Sequence, residues 1–150
     1  MNKKNLSALI DHLEGIPKKA FGMERWLVGD LARKSDTRSD LGFASRSEVS
    51  AVLKEQLKND KHTCGTVACI AGYASMLAVA NGDVSVRRAI ALGAQKTAAK
   101  WLDIDEETEA FDLFHTIDAN VDIAEVTRKQ AVKVLKHYRK TGKVRWEKFT

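Results

Sequence analysis

Two residues of the chain, His62 and Cys64, are of types that could do covalent chemistry together, in the segment His-Thr-Cys-Gly. The charge-free stretch that follows predicts a helix beginning near Cys64, and a helix N-terminus lowers the pKa of a thiol. A cysteine hydrolase could use this thiol as its nucleophile, with His115 or His137 as the base. A thiol-dependent hydrolase or transferase is therefore one alternative, although the surrounding residues do not match the papain signature.

We favour a structural interpretation of the two cysteines, Cys64 and Cys69, because unpaired cysteine is among the most buried residue types. Five positions on a helix place them about 140° apart, which argues against a disulfide and against a shared metal ion. Motifs for phosphate loops, dinucleotides, zinc and serine nucleophiles are absent from the sequence. We expect no metal and no cofactor, and the remaining histidines are interpreted as surface or hydrogen-bonded residues: His12, His115 and His137.

The charges of the chain are segregated near its C-terminus. Residues 101–125 contain nine acidic residues and no Lys or Arg, whereas residues 126–150 contain nine Lys or Arg and one Glu. One interpretation is that the two blocks pair across solvated helix faces. The other is a basic surface for an acidic partner or nucleic acid. Its candidate contact residues are Lys129, Lys133, Lys136, Arg139, Lys140, Lys143 and Arg145.

Length and composition predict one domain over residues 1–150. The chain is 44% hydrophobic, has a formal net charge of +5 and contains a single proline, which is typical of a globular, helix-rich protein. The N-terminus lacks the apolar core of a signal peptide, and the charge-free stretch is too short and too polar for a membrane span. We therefore expect no membrane contact and a cytoplasmic location.

The stretch from Cys64 to Gly82 contains no charged residue. A helix that is apolar on all sides is normally buried by its neighbours, so the stretch predicts a buried central helix at about residues 64–81. Gly72 lies within it, and small residues there would let neighbouring helices approach closely. The predicted fold class is all-α, a single-domain bundle of six or seven helices around this central helix.

Apolar residues at helical spacing predict amphipathic helices around the central one. The first is predicted to end at Gly15, before Pro17. The helix after the central one is predicted to begin at Ser85, with Gly93 as a point where it can break in two. Residues predicted on inner faces are Leu57, Val86, Ile90, Ala94, Thr97, Trp101, Ala110, Phe111 and Phe114.

Two segments lack helical periodicity. Residues 34–45 are rich in Ser, Asp and Gly and predict an exposed loop. The tail from Val144 to Phe149 alternates in polarity and predicts one short C-terminal strand or an extended strap.

Capping-box spacing occurs at Ser45 and Glu48 and again at Asp122 and Glu125, which predicts helix starts at both places.

Four segments of the chain together resemble a group of small uncharacterised phage and bacterial proteins. The resemblance lies in a Cys-Gly-Thr-x-x-Cys-Ile-Ala-Gly core and three flanking elements, and it covers about two thirds of the chain. It implies a phage or mobile-element origin and no known activity, and residues 34–61 look like an insertion. The matching segments are residues 62–74, 21–26, 98–114 and 141–146.

These observations predict a non-enzymatic helical interaction protein that binds a host protein or complex. A predicted core without a catalytic constellation, together with segregated charge, is the reason for this expectation. If the chain is phage-encoded, its location is the host cytoplasm. The alternatives are nucleic-acid binding through the basic C-terminal helix and tail, and a thiol-dependent enzyme that uses Cys64, His62 and His115.

Overall fold

The computed structural model describes residues 1–23, 27–28, 45–58, 67–116 and 121–150. This part of the chain forms an all-α fold, as the sequence predicts, and its packed helices share one hydrophobic core. A two-residue antiparallel pair joins β1 (Leu27–Val28) to β2 (Val67–Ala68). The helices are α1 (Lys3–Gly15), α2 (Arg46–Lys58), α3 (Ile70–Ala80), α4 (Val86–Leu102), α5 (Glu109–His115) and α6 (Arg128–Thr141).

Helix α3 is the buried central helix, but it begins later than predicted. Nine of its eleven residues are buried, which confirms the prediction drawn from its lack of charge. The predicted start near residue 64 is wrong, because Ala68 belongs to β2 and Cys69 is the N-cap in extended backbone. The Cys69 Sγ accepts the Gly72 N–H at 3.5 Å. An apolar run does not distinguish a short buried strand from a buried helix by periodicity.

The central helix packs most closely on α4 and α2, and α1 packs on α6. At the contact with α4, the hydroxyl of Ser75 lies 2.7 Å from the carbonyl oxygen of Ala94. At the contact with α2, the side-chain amide of Gln56 donates to the hydroxyl of Tyr73 at 3.0 Å. Both contacts give polar side chains a hydrogen-bond partner inside the core. A buried polar group without a partner would destabilise the fold.

Helix α4 breaks at Gly93, as predicted. The backbone there has φ 78° and ψ 166°, a region that only glycine adopts without strain. Because of the break, the 100° spacing of side chains does not continue from the first segment of α4 into the second. Ile90 is consequently 39% exposed, so its predicted place on the inner face is wrong, whereas Ala94, Thr97 and Trp101 are buried.

Two further residues predicted on inner faces lie at the surface. Leu57 is 51% exposed and Phe111 is 37% exposed. Each lies in its helix at a position that the described neighbours do not cover. Ala110 and Phe114, predicted with Phe111, are buried as expected.

The C-terminal tail is not a strand. Residues Trp146–Lys148 form one 3₁₀ turn, and the indole N–H of Trp146 donates to the carbonyl oxygen of Asp112 at 2.9 Å. Trp146 is buried, so one aromatic anchor holds the tail against α5. Anchoring by side chains needs no ladder of backbone hydrogen bonds, which is why alternation in polarity does not indicate a strand here.

Apart from the start of α3, most predicted helix ends are confirmed, and the start of α6 is a second exception. Ser45 and Glu48 form the predicted capping box of α2, but Asp122 caps only the 3₁₀ turn Ile123–Glu125. Helix α6 instead begins with a capping box between Thr127 and Gln130. Of the predicted loop at residues 34–45, only the last residue belongs to the described part of the chain.

Candidate functional site

The thiol hypothesis depends on a cysteine at the N-terminus of the central helix. Cys64 and His62 lie outside the described residues. The N-terminus of α3, which the hypothesis needs at Cys64, lies at Cys69 instead. Burial raises the pKa of the Cys69 thiol to about 11, against the opposing effect of backbone hydrogen bonds such as that from Gly72. Cys69 is therefore protonated at neutral pH and serves as a cap and packing residue.

His115, one of the two candidate bases, is partly buried at the C-terminal end of α5. Its Nε2 lies 3.2 Å from the side-chain oxygen of Gln95. The centroid of its ring lies 4.8 Å from that of the Phe111 ring, with the two rings tilted by 36°. Burial lowers the pKa of His115. These described contacts fix the ring against α4 without a thiol, and the thiol hypothesis stays an untested prediction.

A buried polar cluster, not predicted from the sequence, joins the first three helices. His12 is 6% exposed, and its ring lies 5.2 Å from that of Tyr73. The Tyr73 hydroxyl donates to the carbonyl oxygen of Ala20 at 2.7 Å and accepts from Gln56. The Nε2 of His12 has no hydrogen-bond partner among the described residues. This cluster specifies how α1, α2 and α3 fit together.

The environment of His12 favours its neutral form. Burial lowers the pKa of His12 to about 4, and a side-chain hydrogen bond between His12 and Gln56, which raises the pKa, opposes this only in part. On a helical wheel His12 lies about 110° from the centre of the apolar stripe of α1, so periodicity predicts a surface position. Its burial results from α2 and α3, which cover a second side of α1.

Four lysines of α6 form a continuous line on its exposed face. At 100° per residue they lie within about 60° of one another around the helix axis, and they extend over about 16 Å. All four side chains are exposed. This lysine stripe consists of Lys129, Lys133, Lys136 and Lys140.

The structure separates the stripe from the other predicted contact residues. Arg139 is half-buried and donates to the hydroxyl of Ser7 on α1 at 2.9 Å. Arg145 pairs with Glu147 in the tail at 3.2 Å. Lys143 is exposed but lies beyond the end of α6, where Gly142 adopts φ 69°. Three of the seven predicted residues are thus not part of the aligned face.

Among the described residues of the acidic segment, none forms an ion pair with the stripe. Glu109 of α5 acts on the hydroxyl of Tyr138, which lies about 170° around α6 from the centre of the stripe. Burial first, and then this carboxylate, raise the pKa of Tyr138, although no hydrogen bond of ordinary geometry joins the two groups. The ion pair described for the stripe is instead between Lys136 and Glu14 of α1, at 2.7 Å.

A second surface feature lies at the break in α4. An open cavity of about 440 Å³ is bounded by residues 92–96 of α4 and by Glu106 and Glu107. Lys96 and Glu106 form an ion pair of 3.4 Å at its edge. The opposite charges within the lining leave no strong preference for a cation or an anion.

Among the described residues, no group of three or more His, Cys, Asp or Glu side chains could hold a metal ion. None of the described helices is long and apolar enough to cross a membrane.

Comparison with known proteins does not assign the chain to a family. No protein-family model, no curated protein and no solved structure matches it. The resemblance to small phage and bacterial proteins stays a prediction.

Proposed function

We propose that the protein is a non-enzymatic helical interaction module that binds an acidic partner through the lysine stripe of α6. The observation that carries the proposal is the alignment of four exposed lysines on one helix face. Aligned charges of one sign attract an oppositely charged partner and orient it during encounter. The residues proposed to bind are Lys129, Lys133, Lys136 and Lys140.

The stripe is available for such contacts. Lys129, Lys133 and Lys140 form no ion pair with any described residue, and Lys136 pairs with a half-exposed Glu14. An exposed ion pair contributes only about 0–1 kcal/mol. A partner that supplies a carboxylate or phosphate could therefore replace Glu14 at little cost.

The buried face of α6, opposite the stripe, holds the helix in place. Ala131, Val134, Leu135 and Tyr138 are buried in the core, and the helix is closed by its Thr127 capping box and by Gly142. A rigid helix holds its lysines at constant spacing, so less conformational entropy is lost when a partner binds.

A phage or mobile-element origin, which the sequence resemblance implies, would place this interaction in a host cell. The acidic partner would then be a host molecule in the cytoplasm. This part of the proposal depends on the resemblance alone. Binding by the stripe can be tested without it.

A protein partner could also use the surface near the break in α4. Two exposed apolar side chains, Ile90 and Phe111, lie on α4 and α5. Apolar and aromatic residues at the surface are typical of protein–protein contacts. This second candidate would leave binding unaffected by changes in the lysine stripe.

The proposal is tested by heparin chromatography at pH 7 with a salt gradient. The stripe variant replaces all four lysines with glutamine. The control variant carries Lys54→Gln, Arg87→Gln, Arg88→Gln and Lys100→Gln, four exposed positions on α2 and α4. Each variant loses four positive charges, so the formal net charge falls from +5 to +1 in both.

We expect the stripe variant to elute at much lower salt than the wild type, and the control variant to elute close to the wild type. Equal losses in the two variants would show that only net charge matters, which would contradict a specific binding face. Elution of the stripe variant with the wild type would also reject the proposal. A matching thermal melt establishes that each variant is folded.

A further inference from the structure

We infer that the acidic partner is a nucleic-acid duplex, which the lysine stripe contacts through its phosphates without reading its bases. This inference rests on the proposed binding function and specifies its ligand. Three features of α6 support it. Its arginines and its glutamine are engaged within the protein, its lysines are spaced along one face, and that face has no exposed aromatic or large apolar residue.

The side chains of α6 that are suited to base recognition are already engaged within the protein. Arg128 donates to the backbone carbonyl oxygens of Glu14 and Ile16. Gln130 closes the capping box with Thr127, and Arg139 donates to the hydroxyl of Ser7. Arginine binds guanine and glutamine binds adenine through two hydrogen bonds in a fixed geometry, so these three side chains are not available for base recognition.

The lysines that remain suit phosphate better than bases. A lysine ammonium is a compact point charge that binds phosphate without a fixed direction. Contacts to phosphate position a protein on the duplex but carry no sequence information. We therefore expect binding that does not depend on base sequence.

The length of the stripe agrees with contacts to several phosphates. From Lys129 to Lys140 the helix rises about 16 Å, which corresponds to about five nucleotides along one strand of a DNA duplex. Four lysines within this distance can each reach a phosphate. Their long, flexible side chains tolerate differences between the helix rise and the curved path of the strand.

The exposed face lacks the features that the other acidic partners would use. Single strands are held largely by stacking on aromatic side chains, but Tyr138 and Trp146 are buried. Phe149 is partly buried, with its ring 5.5 Å from that of His137. Protein interfaces have apolar centres and are depleted in lysine, and no large apolar residue of α6 is exposed.

The experiment measures fluorescence anisotropy with the full chain and four labelled or competing probes. The probes are two 20-base-pair DNA duplexes of unrelated sequence, one of their single strands, and poly-glutamate at an equal concentration of negative charge. Salt is varied from 50 to 200 mM. The wild type is compared with the stripe variant, the control variant, and a double variant, Lys133→Gln with Lys140→Gln.

We expect the two duplexes to bind within about threefold of each other and at least tenfold more tightly than poly-glutamate or the single strand. The logarithm of the affinity should fall with the logarithm of salt with a slope of about −3 to −4, because each phosphate neutralised contributes about −0.9. The double variant should lose about half of this slope, the stripe variant nearly all, and the control variant very little.

Different failures separate this inference from the proposed function. Equal or tighter binding of poly-glutamate or the single strand would overturn the duplex inference and leave the acidic-partner proposal standing. A tenfold difference between the two duplex sequences would overturn binding through phosphates alone. Absence of binding to every probe by the folded wild type would reject both.

Discussion

The hydroxyl of Ser75 lies 2.7 Å from the carbonyl oxygen of Ala94, directly after the break at Gly93. This contact links the middle of the central helix to the second segment of α4. It is fully buried, and the same hydroxyl is 2.8 Å from the carbonyl oxygen of Ala71 in its own helix. The small side chain of Ser75 lets α3 and α4 approach closely, and its hydroxyl supplies a hydrogen-bond donor to the Ala94 carbonyl.

Replacement of Ser75 by alanine should lower the free energy of unfolding by about 1–2 kcal/mol, the usual effect of losing a buried hydrogen bond. Urea denaturation followed by circular dichroism measures this change. Ser47→Ala is a suitable control, because Ser47 is exposed and its loss should change stability by less than about 0.5 kcal/mol. Equal stabilities of Ser75→Ala and wild type would show that the contact is not formed in solution.

Gly72 lies in the buried central helix, which packs mainly on α4. Gly72→Leu should overpack this region and destabilise the protein by about 1–3 kcal/mol or more. The matched control is Ala91→Leu, at an exposed position of α4, where added bulk has space. Thermal melting compares the two, and a Gly72→Leu protein that melts at or above the wild-type temperature would contradict close packing at this point.

Gly93 adopts φ 78° and ψ 166° within α4. Gly93→Ala should therefore cost about 1–3 kcal/mol of stability, since this backbone conformation is strained for any residue with a Cβ atom. Ala91→Gly, two residues earlier, provides a control that acts only through helix propensity, at about 1 kcal/mol. Should Gly93→Ala prove more stable than wild type by urea denaturation, a continuous α4 without the break would be the better description.

His12 should make the protein sensitive to mild acid. Its pKa is about 4 in the folded protein, against 6.5 for an unperturbed histidine, so the unfolded chain binds a proton between these values and the folded chain does not. The stability contributed by neutral His12 is complete above pH 6.5 and is lost as the pH falls toward 4. The loss would amount to about 3 kcal/mol, at 1.36 kcal/mol for each pKa unit.

Urea titrations at several pH values between 7 and 4 would measure this dependence. In His12→Gln, the slope of stability against pH should become shallower over this range, because the substituted side chain does not titrate. His137→Gln serves as the control, since His137 is only partly buried. An unchanged slope in His12→Gln would show that other groups cause the acid sensitivity.

Helix starts marked by a capping Ser or a capping box are predicted well from sequence, because they depend on hydrogen bonds between residues close along the chain. Ser85 caps α4 through the N–H of Arg88 at 3.2 Å, and Ser45 with Glu48 caps α2. The exception, Asp122, has the right spacing but competes with the Thr127 capping box five residues later. Local spacing identifies possible caps and does not select between two that are close together.

The sequence by itself determined the all-α fold class, the burial of the central helix and the spacing of the four lysines, because each depends on the residue types along one segment. Tertiary structure decided what covers each helix face. It buried His12 beneath α2 and α3, left Phe111 at the surface, and placed Glu109 opposite the lysine stripe. Packing against α1 also engaged Arg139 and left the lysines exposed, because contacts between distant segments are not encoded in the periodicity of either segment alone.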